Sequence, residues 1–177
     1  MPVTSPRVPM VDPDAEPAEL RPVFDQLRQT RGRVPGMYRT LAHQPAVLAA
    51  HRAYFHAALD TGVLPRPFKE IIAYKVAALR GSAYSMGSHR SYAVKHGVAA
   101  EILEAVDRSD YSALSEKDRA AFDLAEAIVH NRGQVPEQIF VRLHQHYSPA
   151  EIVELTTLVG IMELASTLSA VFELKPD

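Results

Sequence analysis

The chain has 177 residues, 47% of them apolar, and a formal net charge of −2. That length buries a substantial core in one domain or two small halves, and the charge leaves no footprint for a nucleic-acid partner. There is no cysteine, which excludes disulfides, thiolate metal sites and thiol catalysis in this chain.

Residues 1–17 hold five prolines. They read as an extended arm of the kind that wraps a neighbouring subunit, or as a disordered tail. The segment lacks the apolar region of a signal peptide, and no charge-free apolar run of about 18 residues marks a membrane span. The expected compartment is the cytoplasm. From residue 18 onward helical periodicity dominates and no strand pattern emerges. Leu20, Val23, Phe24 and Leu27 follow i, i+3, i+4, i+7 spacing and give a first helix. Pro35 opens a short helix through Leu41, and Pro45 opens another from about Ala46 to Leu59. The turn TGVLPRP leads to a helix beginning near Pro67. Gly81 interrupts it, and the next helix runs from Ser82 to Lys95, with Gly97 as its stop. The short helix AAEILEAV follows.

In the second half Ser115 and Asp118 are spaced like a capping box ahead of EKDRAAFDLAEAIVH. Gly133 ends that helix and Pro136 opens PEQIFVRLHQH. Ser148-Pro149-Ala150-Glu151 is a strong capping box with proline at the first helical position. The helix behind it, EIVELTTLVGIMELASTLSAVFEL, is apolar on most faces. It belongs either in the core or in a subunit interface. Gly160, Ala165, Ser166 and Ser169 are small enough for close helix packing. The predicted fold is all-α, with about eight helices.

Four residues stand out chemically. Ser82, Ser85 and His89 recur at i, i+3 and i+7, so they line one wall of a helix. Glu70 sits on the preceding helix, and an antiparallel pair brings its carboxylate toward that wall. Each residue also has an ordinary role. Ser82 serves as an N-cap, Ser85 as a helical serine bonded to the preceding turn, Glu70 as a complement to the helix dipole, His89 as a core or surface histidine and Tyr84 as packing. A metal site is only weakly signalled and none is assigned: His51 and His56 are five apart and His144 and His146 two apart, neither the i, i+4 pairing of a helical ligand pair. His56 is expected to face the site from the neighbouring helix. His43, His96 and His130 read as surface or packing residues.

With cysteine written for both serines, the spacing Glu-x11-Ser-x2-Ser-x3-His becomes Glu-x11-Cys-x2-Cys-x3-His. That resembles the active-site pattern of the alkylhydroperoxidase D-like (AhpD-like) and carboxymuconolactone decarboxylase superfamily. The flanking stretches VPGMYRTLAHQPAVLAAHRAYFHAAL and HGVAAEILEAV are similar too. So is the second half, through YSPAEIVELTTLVGIMELASTLSAV, where it looks like peroxidase-related members. The resemblance covers about residues 20–174 and implies one helical domain over 18–177. It further implies a homo-oligomer (dimer, trimer or hexamer), a small-molecule substrate and no cofactor. By position Glu70 and His89 carry over as proton-relay residues; Tyr84, within the Ser-Ala-Tyr-Ser run, and His56, facing the site, are the expected substrate contacts. Ser82 and Ser85 carry over only as occupants of the resolving and peroxidatic cysteine positions.

In cysteine-bearing members a thiolate at a helix N-terminus attacks peroxide, and a partner thiol protein supplies electrons. Serine does neither step. The serines fit a Cys→Ser replacement in an antioxidant hydroperoxide reductase, inactive in this form. They equally fit a natural sulfur-free branch. That branch would be a cofactor-free decarboxylase, lyase or isomerase with Glu70 or His89 as base and the serine hydroxyls orienting substrate. A Ser85–His89–Glu70 hydrolase lacks the Gly-x-Ser-x-Gly elbow. A non-catalytic oligomeric binder is the remaining reading, favoured by a closed core around Ser82–His89.

Overall fold

A computed structural model describes residues 6–112 and 114–176. Its described residues form nine α-helices and one π-helical turn, with no strand. The helices are α1 Arg21–Arg31, α2 Gly36–Leu41, α3 Pro45–Phe55, α4 Arg66–Leu79, α5 Ala83–Lys95, α6 Ala100–Arg108, α7 Glu116–His130, α8 Glu137–His146 and α9 Pro149–Phe172. The all-α class is therefore as the sequence predicts, with one helix more than the expected number.

The punctuation residues set the boundaries. Gly32 closes α1 in the left-handed region (φ +75°), returning its N–H to the Arg28 carbonyl at 2.8 Å. Ser148 and Glu151 form the full reciprocal box at the start of α9. Ser115 accepts from the Asp118 N–H at 3.1 Å, but the Asp118 carboxylate takes the Ser115 hydroxyl at 2.8 Å. Aspartate is one methylene shorter than the glutamate a reciprocal box uses.

One boundary differs from the sequence reading. The helix expected to run on to Leu59 ends at Phe55, and His56–Asp60 form a π turn. π turns inside helical runs recur at functional sites.

The core has two parts. Ile72, Val76, Phe122, Leu158 and Met162 belong to one cluster, built mainly by α4, α7 and α9. Leu20, Phe24, Leu27, Met37, Tyr38 and Leu48 belong to the other, from α1, α2 and α3. Full burial of each large apolar side chain contributes roughly 1.5–3 kcal/mol. Helix α5 lies where the clusters meet, with Ala93 in the first and Tyr84 in the second. The residues of interest thus sit on a seam between two packed units.

Helix α9 is long and apolar enough by length and composition to cross a membrane (mean hydropathy 1.6 over an 18-residue window), although Glu163 interrupts its apolar run. Here it is a core helix packed on α4, α5 and α7. The described part of the N-terminal arm lies on its own chain. Arg7 N–H donates to the Phe172 carbonyl at 2.9 Å, Val11 and Arg39 exchange hydrogen bonds at 3.1 and 2.9 Å, and Met10 and Val11 pack on the second cluster. The first five residues of the expected arm, and Asp177 at the other end of the expected domain, lie outside the described residues.

Candidate functional site

Helix α5 starts with Ser82 as its N-cap. The Ser82 hydroxyl oxygen accepts the Ser85 N–H at 3.3 Å. Ser169 Oγ on α9 donates to the Ser166 carbonyl at 2.9 Å, so the 2.9 Å contact between Ser82 Oγ and Ser169 Oγ is donated by Ser82. The hydroxyl of Ser82 is thereby committed as both donor and acceptor, and its role in this structure is architectural. Ser166 Oγ is buried without a hydrogen-bond partner.

One turn further along, the chemistry changes. Glu70 on α4 is fully buried, and its Oε2 accepts from His89 Nδ1 at 2.7 Å. Oε1 accepts from Arg66 Nε at 2.8 Å and from a second Arg66 nitrogen. Burial pushes the Glu70 carboxyl up, but the His89 hydrogen bond and the charges of His89 and Arg66 outweigh it and hold the group below its ordinary range. Glu70 is therefore an ionised carboxylate that fixes the imidazole ring and leaves Nε2 as the nitrogen not committed to it. Packing fixes the ring as well. Phe55 stacks on His89 with centroids 6.2 Å apart and on His51 at 6.0 Å.

His89 and Ser85 share a small cavity of about 30 Å³. It is also lined by Met37, Tyr38, Phe55 and Tyr84. A single water needs roughly 10–15 Å³ of such space, so the cavity has room for one or two waters or one small polar group. The Tyr84 hydroxyl accepts the Met37 N–H at 3.0 Å and pins the start of α2 over this space. On the other side of the α5 N-terminus a groove of about 460 Å³ reaches Ser82, Ser169 and Lys175.

The structure thus brings Glu70, Ser85, His89 and Tyr84 to one place, with Ser82 at its edge. It does not bring His56 there. That expectation is corrected: His56 is exposed, its Nδ1 is 2.8 Å from Asp60 Oδ2, and it lines a different pocket on the π turn. That pocket meets the far end of α5 at Tyr92 and Lys95, about one turn and more beyond His89. Sequence reasoning missed Arg66, although Arg66 precedes Glu70 by four residues, the spacing of a helical ion pair. It also missed Phe55 and the hydroxyl partner Ser169, which only the packing of α3 and α9 on α5 reveals. Among the described residues no group of three or more histidine, aspartate or glutamate side chains is placed to hold a metal ion.

Residues 45–127 match the carboxymuconolactone decarboxylase family. No curated protein matches the sequence. Among solved structures, an uncharacterised peroxidase-related protein from Silicibacter sp. TM1040 is similar at TM-score 0.87 and 18% identity, covering 100% of this chain and 93% of that one. An AhpD-core peroxidase-related protein from Ralstonia eutropha JMP134 is similar at TM-score 0.86 and 21% identity, covering 100% and 94%. The debrominase Bmp8, in a cysteine-to-alanine form bound to 2,3,4-tribromopyrrole, is similar at TM-score 0.82 and 21% identity, covering 96% and 90%. The chain carries a carboxymuconolactone decarboxylase family segment, residues 45–127, within an all-α AhpD-like fold.

Proposed function

We propose that this chain is a sulfur-free AhpD-type acid–base site, in which Glu70 orients His89 and His89 exchanges a proton with a small substrate beside Ser85. The observation that carries the reading is the buried 2.7 Å Glu70–His89 hydrogen bond, set on a cavity shared with Ser85. A buried carboxylate that fixes one ring nitrogen leaves the other for general base and then general acid work. The Ser85 and Tyr84 hydroxyls supply polar contacts at the cavity wall. Without cysteine the chain cannot form the thiolate or the disulfide of a hydroperoxide reductase. One similar structure is a debrominase, so the fold serves more than one chemistry.

Proton exchange tests this directly. The protein is incubated in D2O with a panel of small lactones and β-keto acids, and deuterium incorporation and decarboxylation are followed by proton NMR. At least one compound is expected to turn over, with a loss of roughly a hundredfold or more in Glu70→Gln and His89→Ala. Turnover that survives both substitutions sinks the reading.

The size of the cavity favours a second reading, a closed site that performs no chemistry. Under it the panel shows no turnover, and Glu70→Gln and His89→Ala change only stability.

A further inference from the structure

A second pocket, of about 330 Å³, opens on the π turn and is lined by Arg31, Arg52, Arg66 and Lys95, with Asp60 and His56. Four permanent cations face a single lining carboxylate. That carboxylate is already engaged: Asp60 Oδ2 takes His56 Nδ1 at 2.8 Å and Oδ1 takes Arg66. Counting Glu70, which holds the other side of Arg66, four cations still oppose two carboxylates. Asp60 records the imbalance. Burial raises its pKa, yet the His56 and Arg66 hydrogen bonds and the charges of Arg66 and Arg31 bring it below the ordinary value.

Arg52 is the decisive residue. It is 6% exposed, and its Nε and Nη1 have no hydrogen-bond partner. The nearest carboxylate oxygen, Asp60 Oδ2, is 3.6 Å from Nη1, an ion pair without a hydrogen bond. A buried guanidinium short of acceptors is unfavourable unless an anion is brought to it, and guanidinium N–H groups suit carboxylate and phosphate oxygens. Arg31 is held in place by the faces of Tyr92 and Phe55, at 5.0 and 5.4 Å from the ring centroids.

We propose that this pocket binds a small anion carrying a carboxylate or phosphate group, held by the cationic lining of Arg52, Arg31, Arg66 and Lys95. This site is distinct from the Ser85–His89 cavity and does not rest on the acid–base reading. The two share one residue, because Arg66 also holds Glu70 Oε1.

Isothermal titration with inorganic phosphate, and separately with succinate, tests it, with ionic strength held constant by sodium chloride. Saturable binding at one site per chain is expected for at least one probe. Phosphate alone assigns phosphate-bearing ligands, succinate alone assigns carboxylates, and both together assign the shared oxyanion chemistry. Arg52→Gln is expected to weaken binding roughly tenfold and Lys95→Gln by roughly threefold, while the remote Arg108→Gln leaves it unchanged. Lys95 is exposed, so Lys95→Gln decides the matter if Arg52→Gln fails to fold. Absence of saturable heat from either probe to about 10 mM overturns the proposal. Binding that neither substitution weakens overturns it too. So does a change of oligomeric state in Arg52→Gln when wild type binds neither probe, since the pocket then takes a carboxylate from another subunit.

Discussion

Glu70 shows how a single residue is defined by what surrounds it. Its carboxylate is buried, holds His89 with one oxygen and Arg66 with the other, and is ionised because those partners outweigh desolvation. A carboxyl whose pKa is lowered in the folded state adds stability that is fully present above its unfolded value, about 4.3, and is lost as pH falls below that through the depressed folded value. Urea midpoints are therefore expected to fall below about pH 4.3. Glu70→Gln should be less stable at pH 7 yet show a shallower acid slope. The slope does not vanish, because Asp60 is lowered as well. An unchanged acid slope in Glu70→Gln would place the carboxylate outside this linkage. The Glu70, Ser82, Ser85 and His89 set was legible through the full Glu-x11-Ser-x2-Ser-x3-His spacing and its family resemblance; Ser85 and His89 do share one wall, whereas Ser82 is the N-cap at its edge. The Ser82–Ser169 contact was not legible, since its partners are 87 residues apart and meet only through packing. His51, considered in the sequence only as half of a metal pair, is buried with neither ring nitrogen hydrogen-bonded. Burial first, and then Arg52, lower its pKa and keep it neutral.

At the scale of elements, proline, glycine and serine fixed most boundaries. Pro35, Pro45, Pro136 and Ser148 start helices where their missing N–H or capping hydroxyl demands. The π turn at His56–Asp60 was not legible, because apolar spacing runs through it unbroken in sequence. Its consequence is the loop behind it. Gly62 adopts φ +98°, and a Cβ there would lie 2.3 Å from the Glu154 carboxylate. That carboxylate is itself held in place, accepting from Val63 N–H at 2.7 Å and Leu64 N–H at 3.1 Å. Gly62→Ala is expected to cost about 1–3 kcal/mol, read as a lower denaturant midpoint with an unchanged slope. A neutral Gly62→Ala would mean that neither the backbone strain nor the approach of Glu154 matters.

Across the whole molecule, two hydrophobic clusters meet at α5, and ion pairs made by buried lysines join the helices that frame it. Lys69 is 2% exposed and donates to Glu154 Oε1 at 2.6 Å, tying α4 to α9. Lys75 pairs with Glu126 and lies over the Tyr111 ring at 4.3 Å, tying α4 to α7. Neither lysine was readable as buried, since the helical pattern of α4 gives charged positions to solvent by default. Removing one partner of a buried pair leaves the other uncompensated, so Lys69→Met is expected to cost about 3–5 kcal/mol in chemical denaturation. A loss under about 1 kcal/mol would mean that Glu154 is satisfied by the Val63 and Leu64 amides alone.

The claim at the centre is that Glu70 and His89 form a working proton relay aimed at position 85. The most direct test is hydroperoxide consumption by the Ser82→Cys/Ser85→Cys double variant with a dithiol reductant, beside wild type and the same variant carrying His89→Ala. In the double variant the thiolate introduced at position 85 would attack the peroxide, forming an S–O bond as O–O breaks, with His89 protonating the departing alkoxide. The thiol introduced at position 82 would then displace water to form the disulfide, which the dithiol reduces. A relay of this kind predicts no turnover in wild type, turnover in the double variant, and its loss by roughly a hundredfold or more with His89→Ala. A double variant that folds and shows two reactive thiols by mass, yet consumes no hydroperoxide, would contradict it.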